Sequence, residues 1–421
     1  MTSNKLQLFE VKIDKLVHGG QGIGTLDSGQ KAFVWGVLPG ETVEFRVTKK
    51  KSDYVEGVIT RVLKKSDQRI DPKDPEYLST SPWQIMSYDI ENEHKKVILT
   101  EAMDRAKVSY TDSIIFVAPK DEWGYRNKME YSFYGDESGL HLALFNRGTH
   151  SKQIISGSSI ARPEINAVAN KICDVLDKNN IRASDLKSII LRCNVEGEVV
   201  AAIFTRNPKF SKISELAESC KGIVVVYSNP RSPASVRTKD IYSYGDISLA
   251  ENILRKSISY DVLSFFQVNI PIFDQALQRI RAEVGSEPVL DLYSGVGAIG
   301  LSLKNTDLLV ESDKNNIFWA QQNTKASNIK VVHANSEKSL EYIDSQHVLV
   351  VDPPRAGLHM DIIDKILEVK PSKIIYLSCN PSTQARDLGL LQKNYKIQNI
   401  TGYNFFPRTP HIESLAILVR Q

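Results

Sequence analysis

The sequence is poor in cysteine and has no long apolar run. Its four cysteines, Cys173, Cys193, Cys220 and Cys379, stand far apart among 421 residues. That spacing gives neither a disulfide framework nor a pair of metal ligands. No stretch approaches the ~18 consecutive apolar residues of a membrane-spanning helix, and the polar start MTSNKLQLFE lacks the apolar core of a signal peptide. We therefore expect a cytoplasmic protein with reduced thiols, no metal and no membrane partner.

The charge of the chain is unevenly distributed. Hydrophobic residues make up 42% and charged residues 24% of the sequence, a balance that excludes disorder as the main state. Net charge is only +3, yet residues 1–65 contain 11 Lys or Arg against seven Asp or Glu and carry +4 by themselves. A basic module on a near-neutral body suits a polyanion such as RNA. Scattered lysines on a solvated surface explain the charge equally well.

Periodicity divides the chain into three regions. Residues 6–64 contain short alternating segments between turn clusters, which is typical of a small β-barrel. The next region mixes strands and helices, and from residue 261 strands and helices alternate strictly, which predicts a parallel sheet covered on both faces. We predict a β-barrel over 1–65, a central α+β domain over 66–260 and an α/β domain over 261–421. Within the central range, 88–107 has the pattern of an amphipathic helix able to pack on the α/β domain, with apolar positions at Ile90, Val97, Leu99 and Met103.

A glycine-rich loop marks a candidate nucleotide-type site. The segment DLYSGVGAIG, residues 291–300, follows an apolar strand and opens a helix, so its glycines permit a tight turn and close ligand approach. Glu311 ends the next strand, where a carboxylate can accept hydrogen bonds from both ribose hydroxyls; by itself it would be a surface carboxylate. NAD and S-adenosylmethionine both fit this pattern. The acidic residue at the loop's start, the missing basic residue for a pyrophosphate and an antiparallel last strand favour S-adenosylmethionine.

Three more segments are expected at the same edge of the sheet. Asp352 begins DPPRAG after the fourth strand, Cys379 lies at the strand–helix junction of LSCNPST, and Glu413 opens the last strand. Ligands of open α/β sheets bind at the carboxyl ends of the strands. A lone cysteine is more often structural, but a helix N-terminus is expected to lower the pKa of the Cys379 thiol. The other cysteines lie in apolar settings typical of inert core residues.

These motifs closely resemble the RNA (uracil-5)-methyltransferase family. The match covers SFFQVN, DLYSGVGAIG, VDPPRAG, YLSCNPSTQARDL and FFPRTPHIE, while WGYRNKMEYSF resembles the family's central-domain motif and the barrel resembles a TRAM domain. The resemblance implies a Rossmann-like class I methyltransferase domain, S-adenosylmethionine as cofactor, RNA as partner and no obligate protein partner. It implies Cys379 as the nucleophile and Glu413 as the base that removes the C5 proton.

The remaining expected site residues fall into two groups. The cofactor contacts that the glycine loop and the resemblance imply are Gln267, Tyr293, Gly295, Gly297, Glu311, Asn335 and Asp352. For RNA, the resemblance implies that Phe265 stacks on the target base, and Lys49, Lys50 and Lys51 are expected to contact phosphate.

The chemistry of uracil supports these roles independently. C5 of uracil is a poor nucleophile toward a methyl sulfonium, but addition of a thiolate at C6 converts the ring into an enolate with an electron-rich C5. After methyl transfer a base must take the C5 proton before the cysteine can leave. The target uridine must also be unstacked to be reached. A thiol, a carboxylate and a methyl-donor site are all expected at one edge of the sheet.

The chain departs from the family at two places. Many members with a TRAM domain carry iron–sulfur cysteines just after it, whereas residues 71–84 contain none; we therefore expect no cluster. Asn404 stands where the family often has an acidic residue.

Several substrates and functions remain open at this stage. The TRAM-like barrel favours 23S ribosomal RNA of the large subunit, with transfer RNA as the alternative. A methyltransferase acting on a base amino group would need neither Cys379 nor Glu413. An RNA-binding or folding factor with little turnover would retain the fold without needing the thiol.

Overall fold

The N-terminal region is a closed five-stranded barrel. The computed structural model describes residues 8–232 and 234–421, so the first seven residues of the predicted barrel segment lie outside the described residues. Alternate side chains, among them Val11, Val34 and Phe45, point inward and form its core. The sequence-based prediction of a small barrel is confirmed. Its strands, in the spatial order β1-β2-β3-β5-β4, are β1 Leu8–Leu16, β2 Gly22–Thr25, β3 Lys31–Trp35, β4 Thr42–Lys50 and β5 Tyr54–Lys64.

A polar network holds the segment that follows the barrel, which contains the one-turn helix α1 (Tyr77–Thr80). Gln84 accepts hydrogen bonds from the backbone N–H groups of Lys73 and Asp74, both at 2.9 Å, and its Nε2 donates to Asp74 at 3.0 Å. Asp74 also accepts from the Ser159 backbone N–H at 3.0 Å. These buried, satisfied polar groups tie the segment to the central region without any cysteine.

The helix α2 (Tyr88–Arg105) and the strand β6 (Ile115–Val117) belong structurally to the C-terminal sheet. Leu99 and Met103 are buried in a core shared with that sheet, and β6 pairs with its edge. The predicted helix and its packing on the α/β domain are confirmed. Its predicted amphipathic character is wrong, because the buried face carries Glu91 and Lys95, while Val97 is 52% exposed. Hydrophobic periodicity misses this face because two of its buried positions are charged.

The central region is a seven-stranded sheet that packs on both sides. The helix α3 (Pro163–Lys178) covers one face. The other face joins the core of the C-terminal domain through Ile190, Val200 and Phe204. β11 and β12 run parallel and the other neighbours run antiparallel. A separate hairpin, β14–β15, covers the junction. The elements are β7 Lys128–Asp136, β8 Gly139–Phe145, β9 Lys152–Ile154, α3 Pro163–Lys178, β10 Leu186–Cys193, β11 Val199–Thr205, β12 Gly222–Tyr227, β13 Lys239–Gly245, β14 Ser248–Ile253 and β15 Lys256–Asp261, with 3-10 turns at Ala183–Asp185 and Ser214–Glu218.

The C-terminal region is the expected α/β domain. Its elements are α4 Ile270–Val284, β16 Val289–Leu292, α5 Ala298–Ser302, β17 Thr306–Glu311, α6 Lys314–Thr324, β18 Lys330–His333, β19 Val348–Val351, α7 Met360–Val369, β20 Lys373–Ser378, α8 Pro381–Leu391, β21 Tyr395–Tyr403 and β22 Glu413–Arg420. Residues Ser336–Tyr342, between β18 and β19, form a 3-10 helix. The strand order is β18-β17-β16-β19-β20-β22-β21-β6. The first five strands are parallel, and β22 is antiparallel to both neighbours, as expected for the last strand.

The layering does not follow the predicted boundaries throughout. Residues 88–117 lie within the predicted central range of 66–260, yet they contribute α2 and β6 to the C-terminal sheet. The reason is long-range pairing of β6 with β21, which no local pattern reveals. The boundaries at residues 65 and 260 themselves stay a prediction. No helix in the described ranges 8–232 and 234–421 is both long and apolar enough to cross a membrane.

Candidate active site

Cys379 and Glu413 are neighbours across two antiparallel strands. In the register of β20 and β22, Ser378 lies opposite Ser414. Cys379 follows Ser378 and Glu413 precedes Ser414, so the ladder brings the thiol and the carboxylate together although 33 positions separate them in sequence. Adjacent strands lie about 4.8 Å apart. The two residues predicted to be catalytic therefore stand side by side at the carboxyl edge of the parallel strands.

The helix α8 fixes both of these strands. Gln384 is fully buried, and its Nε2 donates to the carbonyl oxygens of Tyr376 at 2.9 Å and Ser414 at 3.1 Å. The Ser414 hydroxyl donates back to Gln384 Oε1 at 2.5 Å. Asn380 caps the helix by accepting from the Ser382 N–H at 3.1 Å. One helical side chain thus controls the spacing of the strands that present Cys379 and Glu413.

The loop of residues 352–358 is attached to the same helix. The Arg355 carbonyl accepts hydrogen bonds from Asn380 Nδ2 at 2.9 Å and Thr383 Oγ1 at 3.1 Å. Asp387, fully buried, accepts from the Leu358 N–H at 2.9 Å and from the Tyr376 hydroxyl at 2.7 Å. Asp352, at the start of this loop, is therefore fixed relative to the Cys379 turn.

The electrostatics of the site differ from the expectation for Cys379. Burial, followed by the charges of Glu413 and Asp352, raises the pKa of Cys379 to about 12, although Arg355 opposes this shift. The predicted lowering of the thiol pKa is wrong, because burial and two carboxylates outweigh the helix N-terminus. Burial and Asp352 also raise the pKa of Glu413 well above its ordinary value, and burial raises that of Asp352 to about 7. In this state Cys379 is a thiol, and it needs added positive charge to ionise.

The glycine loop forms a cradle next to this pair. Gly295 has φ +57° and open space where a Cβ atom would be. Gly297, with φ +89°, precedes α5, and a Cβ there would touch Leu301 and Leu309 at 3.0 Å. The Gly295 N–H donates to Glu311 Oε2 at 2.8 Å. Both glycines adopt left-handed φ values that favour glycine, and close packing also limits a side chain at Gly297.

The cradle is lined by carboxyl groups. Asp291 is fully buried; its Oδ2 accepts from the Gly300 N–H at 2.8 Å, while its Oδ1 has no hydrogen-bond partner among the described residues. Burial, then the charges of Asp352 and Glu311, raises the pKa of Asp291 to about 8. Such a site favours a cationic ligand, and the sulfonium and ammonium of S-adenosylmethionine fit it better than a pyrophosphate would. Within the described residues, no group of three or more His, Cys, Asp or Glu side chains is placed to hold a metal ion.

Comparison with known proteins agrees with this geometry. Residues 87–421 match the family described as tRNA (Uracil-5-)-methyltransferase, and residues 3–60 match the TRAM domain. The chain belongs to the tRNA (uracil-5-)-methyltransferase family. It is therefore an RNA methyltransferase, and the resemblance drawn from its motifs is confirmed.

Relatives and a solved structure match the enzyme over its whole length. It is 29% identical to an uncharacterised RNA methyltransferase of Enterococcus faecalis, over 99% of this chain and 98% of the relative. It is also 29% identical to one from Halalkalibacterium halodurans, over 99% and 97%. A crystal structure of the Pyrococcus abyssi tRNA (uracil-54, C5)-methyltransferase, in complex with S-adenosyl-L-homocysteine, shares the fold with a TM-score of 0.78 and 23% identity, over 98% of this chain and 100% of that one.

Three other expected cofactor residues of the methyltransferase, Tyr293, Gln267 and Asn335, have separate local environments. Tyr293 stands at the turn after β16 with φ +67°, a left-handed conformation unusual for a non-glycine residue. Gln267 is buried, and its carbonyl accepts from Asn127 Nδ2 at 3.1 Å. Asn335 follows β18 and caps the next turn by accepting from the Lys338 N–H at 3.1 Å. Direct contact of these side chains with the cofactor remains a prediction.

The expected RNA contacts lie in two separate places. Phe265 is 63% exposed, and its N–H donates to Asn316 at 3.1 Å, which leaves the ring free to stack on a base. Lys49, Lys50 and Lys51 lie at the end of β4. Because β4 is antiparallel to β1, this end is opposite to the hairpin at Gly20 that contacts Pro410 near the active site. The structure therefore does not bring the three lysines to the catalytic edge.

Sequence reasoning left three residues of this site without a role. Arg355 is an exposed cation whose charge acts on Cys379 and Glu413. His411 lies two positions before Glu413; burial, followed by the charge of Arg355, lowers the pKa of His411 to about 3. Gln384 connects the two catalytic strands. Arg355, His411 and Gln384 all stand inside motifs quoted for the resemblance, so position within a motif was the available signal.

Proposed function

We propose that this enzyme methylates C5 of uridine in structured RNA with S-adenosylmethionine, through a covalent bond between Cys379 and C6. The observation that carries the proposal is the adjacency of the Cys379 thiol and the Glu413 carboxyl beside a cradle lined by carboxyl groups. A thiol, a carboxyl group and a cation site at one edge are what the reaction requires.

Cys379 starts the reaction as a thiol and must lose its proton to solvent before it can add to the ring. Positive charge from the bound methyl donor and from Arg355 favours the thiolate over the thiol. The sulfur then bonds to C6, and the electron pair of the C5–C6 double bond moves to form an enolate with nucleophilic C5. When bound, S-adenosylmethionine would supply the methyl group to C5 and leave as S-adenosylhomocysteine. C5 now bears both the new methyl group and its original hydrogen.

Glu413 completes the reaction as the base. Its carboxyl group is buried, and Oε2 has no hydrogen-bond partner within residues 8–232 and 234–421. As a carboxylate it takes the C5 proton; the electrons of that bond restore the C5–C6 double bond, and the bond from C6 to sulfur breaks. The raised pKa of Glu413 makes it a stronger base than an exposed glutamate. Cys379 regains its proton from solvent or from the neighbouring carboxyl groups.

Glu311 is the residue that would bind the ribose of the cofactor. Its two oxygens already accept backbone N–H bonds from Gly295 at 2.8 Å and from Ser312 and Asp313 at 2.7 Å. A carboxylate offers about four acceptor positions, so about one strong bond to a ribose hydroxyl remains rather than two. The three backbone bonds fix the orientation of the carboxylate before the ligand arrives.

The proposal has two candidate RNA substrates. The sequence favours large-subunit ribosomal RNA because of the barrel, with transfer RNA as the alternative. The barrel alone does not discriminate between them, since the Pyrococcus abyssi tRNA (uracil-54, C5)-methyltransferase has the same fold over 98% of this chain. We propose to assay tritiated-methyl transfer to total RNA from a strain that lacks the enzyme, followed by mapping of the labelled uridine. Label in one RNA class identifies the substrate.

Two variants and one substrate analogue test the chemistry. Cys379→Ala is expected to abolish methyl transfer while RNA binding persists. A methyltransferase acting on a base amino group, or an RNA-folding factor, would be unaffected by this change. RNA containing 5-fluorouridine is expected to form a stable adduct with the wild-type enzyme, because fluorine cannot leave as a proton does. Absence of the adduct together with full activity of Cys379→Ala would exclude the covalent mechanism.

A further inference from the structure

The segment of residues 404–412, here called the Glu413 loop, leads directly into the proposed base. It connects β21 to β22, and Tyr403 pairs with Glu413, so both ends of the loop meet at the catalytic edge. The loop contains no regular secondary structure. A connection of this kind keeps one conformation when other parts of the protein satisfy its backbone groups.

Two side chains of α2 supply several of these contacts. Lys95 Nζ donates to the Phe406 carbonyl at 3.1 Å and to Asn404 Oδ1 at 2.6 Å. Glu91 accepts from the Arg408 N–H with both carboxylate oxygens, each at 3.0 Å, and from Asn404 Nδ2 at 3.0 Å. Glu91 and Lys95 also form an ion pair of 2.8 Å. Neither side chain is exposed.

A fully buried ion pair is expensive unless its polar groups are used. Apolar residues of similar size are often as stable or more stable at such positions. Here each charged side chain also forms hydrogen bonds with the Glu413 loop. The two side chains therefore hold the loop in place and neutralise each other's charge. Burial lowers the pKa of Lys95, and Glu91 opposes that shift. The arrangement suits a device that specifies one loop conformation.

Arg408 adopts an unfavourable backbone conformation that contacts from outside the loop stabilise. Its φ of +65° is a left-handed backbone conformation that is unfavourable for a residue with a side chain. Nη1 donates to the Met86 carbonyl at 2.6 Å, and Nη2 pairs with Glu122 at 2.5 Å. Tyr125 also donates to the Pro407 carbonyl at 2.9 Å. Such strain persists where surrounding contacts determine the backbone.

We propose that Glu91 and Lys95 are positioning residues that fix the Glu413 loop and thereby place the Glu413 carboxyl group beside Cys379. The inference rests on the proposed function, in which Glu413 removes the C5 proton. It also explains the amide at Asn404: Glu91 already supplies the negative charge that Lys95 needs, and an acid at 404 would bring a second carboxylate to the same cation. The carboxylate and the amide should therefore be interchangeable between the two positions.

Charge transposition tests this inference. Glu91→Gln removes the buried carboxylate with little change of shape, and the double variant Glu91→Gln/Asn404→Asp returns a carboxylate to Lys95 from the loop side. We expect Glu91→Gln to lower kcat for 5-methyluridine formation by about 10-fold or more, with KM values for RNA and S-adenosylmethionine within about twofold. The double variant should recover kcat to within about threefold of wild type. Glu93→Gln, at an exposed position of the same helix, is the matched control and should have no effect.

Each outcome decides between the inference and its rejection. Wild-type kcat in Glu91→Gln, or a folded double variant no faster than Glu91→Gln, would overturn it. If Glu91→Gln does not fold by circular dichroism, Asn404→Asp alone decides: a lower kcat at unchanged KM supports the inference, and wild-type kcat overturns it. The proposed function is tested separately, by measuring whether the wild-type enzyme makes 5-methyluridine at all.

Discussion

Gly20 of the barrel packs directly on Pro410 of the Glu413 loop: a Cβ atom at Gly20 would lie 2.4 Å from the Pro410 Cβ. The neighbouring Trp83 Nε1 donates to the Gly20 carbonyl at 3.1 Å. The barrel hairpin therefore stands at the rim of the active site, three residues from Glu413. This contact joins the barrel to the loop that precedes the proposed base.

Gly20→Ala should consequently impair catalysis as well as stability. The added methyl group must displace Pro410 or the hairpin, which is expected to cost about 1–3 kcal/mol and to shift the Glu413 loop. We expect a lower melting temperature and a several-fold loss of kcat/KM for RNA. Gly19→Ala is the control, because Gly19 has a similar φ, +94° against +99°, but open space at its Cβ position. Equal losses in the two variants would show that backbone strain, not the Pro410 contact, is responsible.

Glu413→Gln should separate the two halves of the reaction. The amide cannot remove the C5 proton, but Cys379 remains able to add to C6, so methylated RNA should stay covalently attached to the enzyme. Denaturing gels with labelled RNA measure this adduct, and Cys379→Ala should give none. A variant that releases 5-methyluridine at the wild-type rate would show that another group is the base.

Asp291→Asn should change how stability depends on pH. The pKa of Asp291 is raised from 3.8 to about 8 in the folded protein. Because the folded state binds this proton more tightly, the stability from Asp291 is present below about pH 4 and is lost as the pH rises through 8. As the pH rises from 5 to 8 without ligand, the free energy of unfolding of Asp291→Asn should therefore increase by about 1–3 kcal/mol relative to that of wild type.

Chemical denaturation at a series of pH values measures this effect. The exposed Asp364→Asn is the control and should follow wild type. Asp291→Asn should also lose affinity for S-adenosylmethionine, and the loss should be larger at pH 8.5 than at pH 6, because only the ionised Asp291 carboxylate attracts the cation. Calorimetric titration checks this second expectation, and a loss that is independent of pH would contradict it.

Lys50 and Lys51 should contribute more to RNA binding than Lys49. Lys49 is already paired with Glu56 at 2.6 Å, so little of its charge is available to phosphate. Replacing Lys50 and Lys51 with alanine should reduce the slope of log affinity against log salt by about 1–2, while Lys49→Ala changes it less. Filter binding over a salt range of roughly 50 to 300 mM measures the slopes. Unchanged slopes in the double variant would remove these lysines from the interface.

The sequence by itself determined the elements that depend on local pattern. Alternation predicted the barrel, and the order of strand, glycine loop and helix predicted the α/β domain. The placement of Cys379 followed from the rule that parallel strands end at one edge, and Glu413 was expected there because it opens the antiparallel last strand. These inferences succeed because periodicity and turn chemistry involve residues close in sequence.

Only the tertiary structure decided the remaining features. The helix α2 joins the catalytic sheet, and Glu91 and Lys95 are buried, because their partners lie more than 300 positions away at Asn404 and Arg408. The Cys379 pKa rises rather than falls, because burial and Glu413 act on it through space. Burial and charge pairing depend on which distant segments meet, and no local pattern in the chain encodes that meeting.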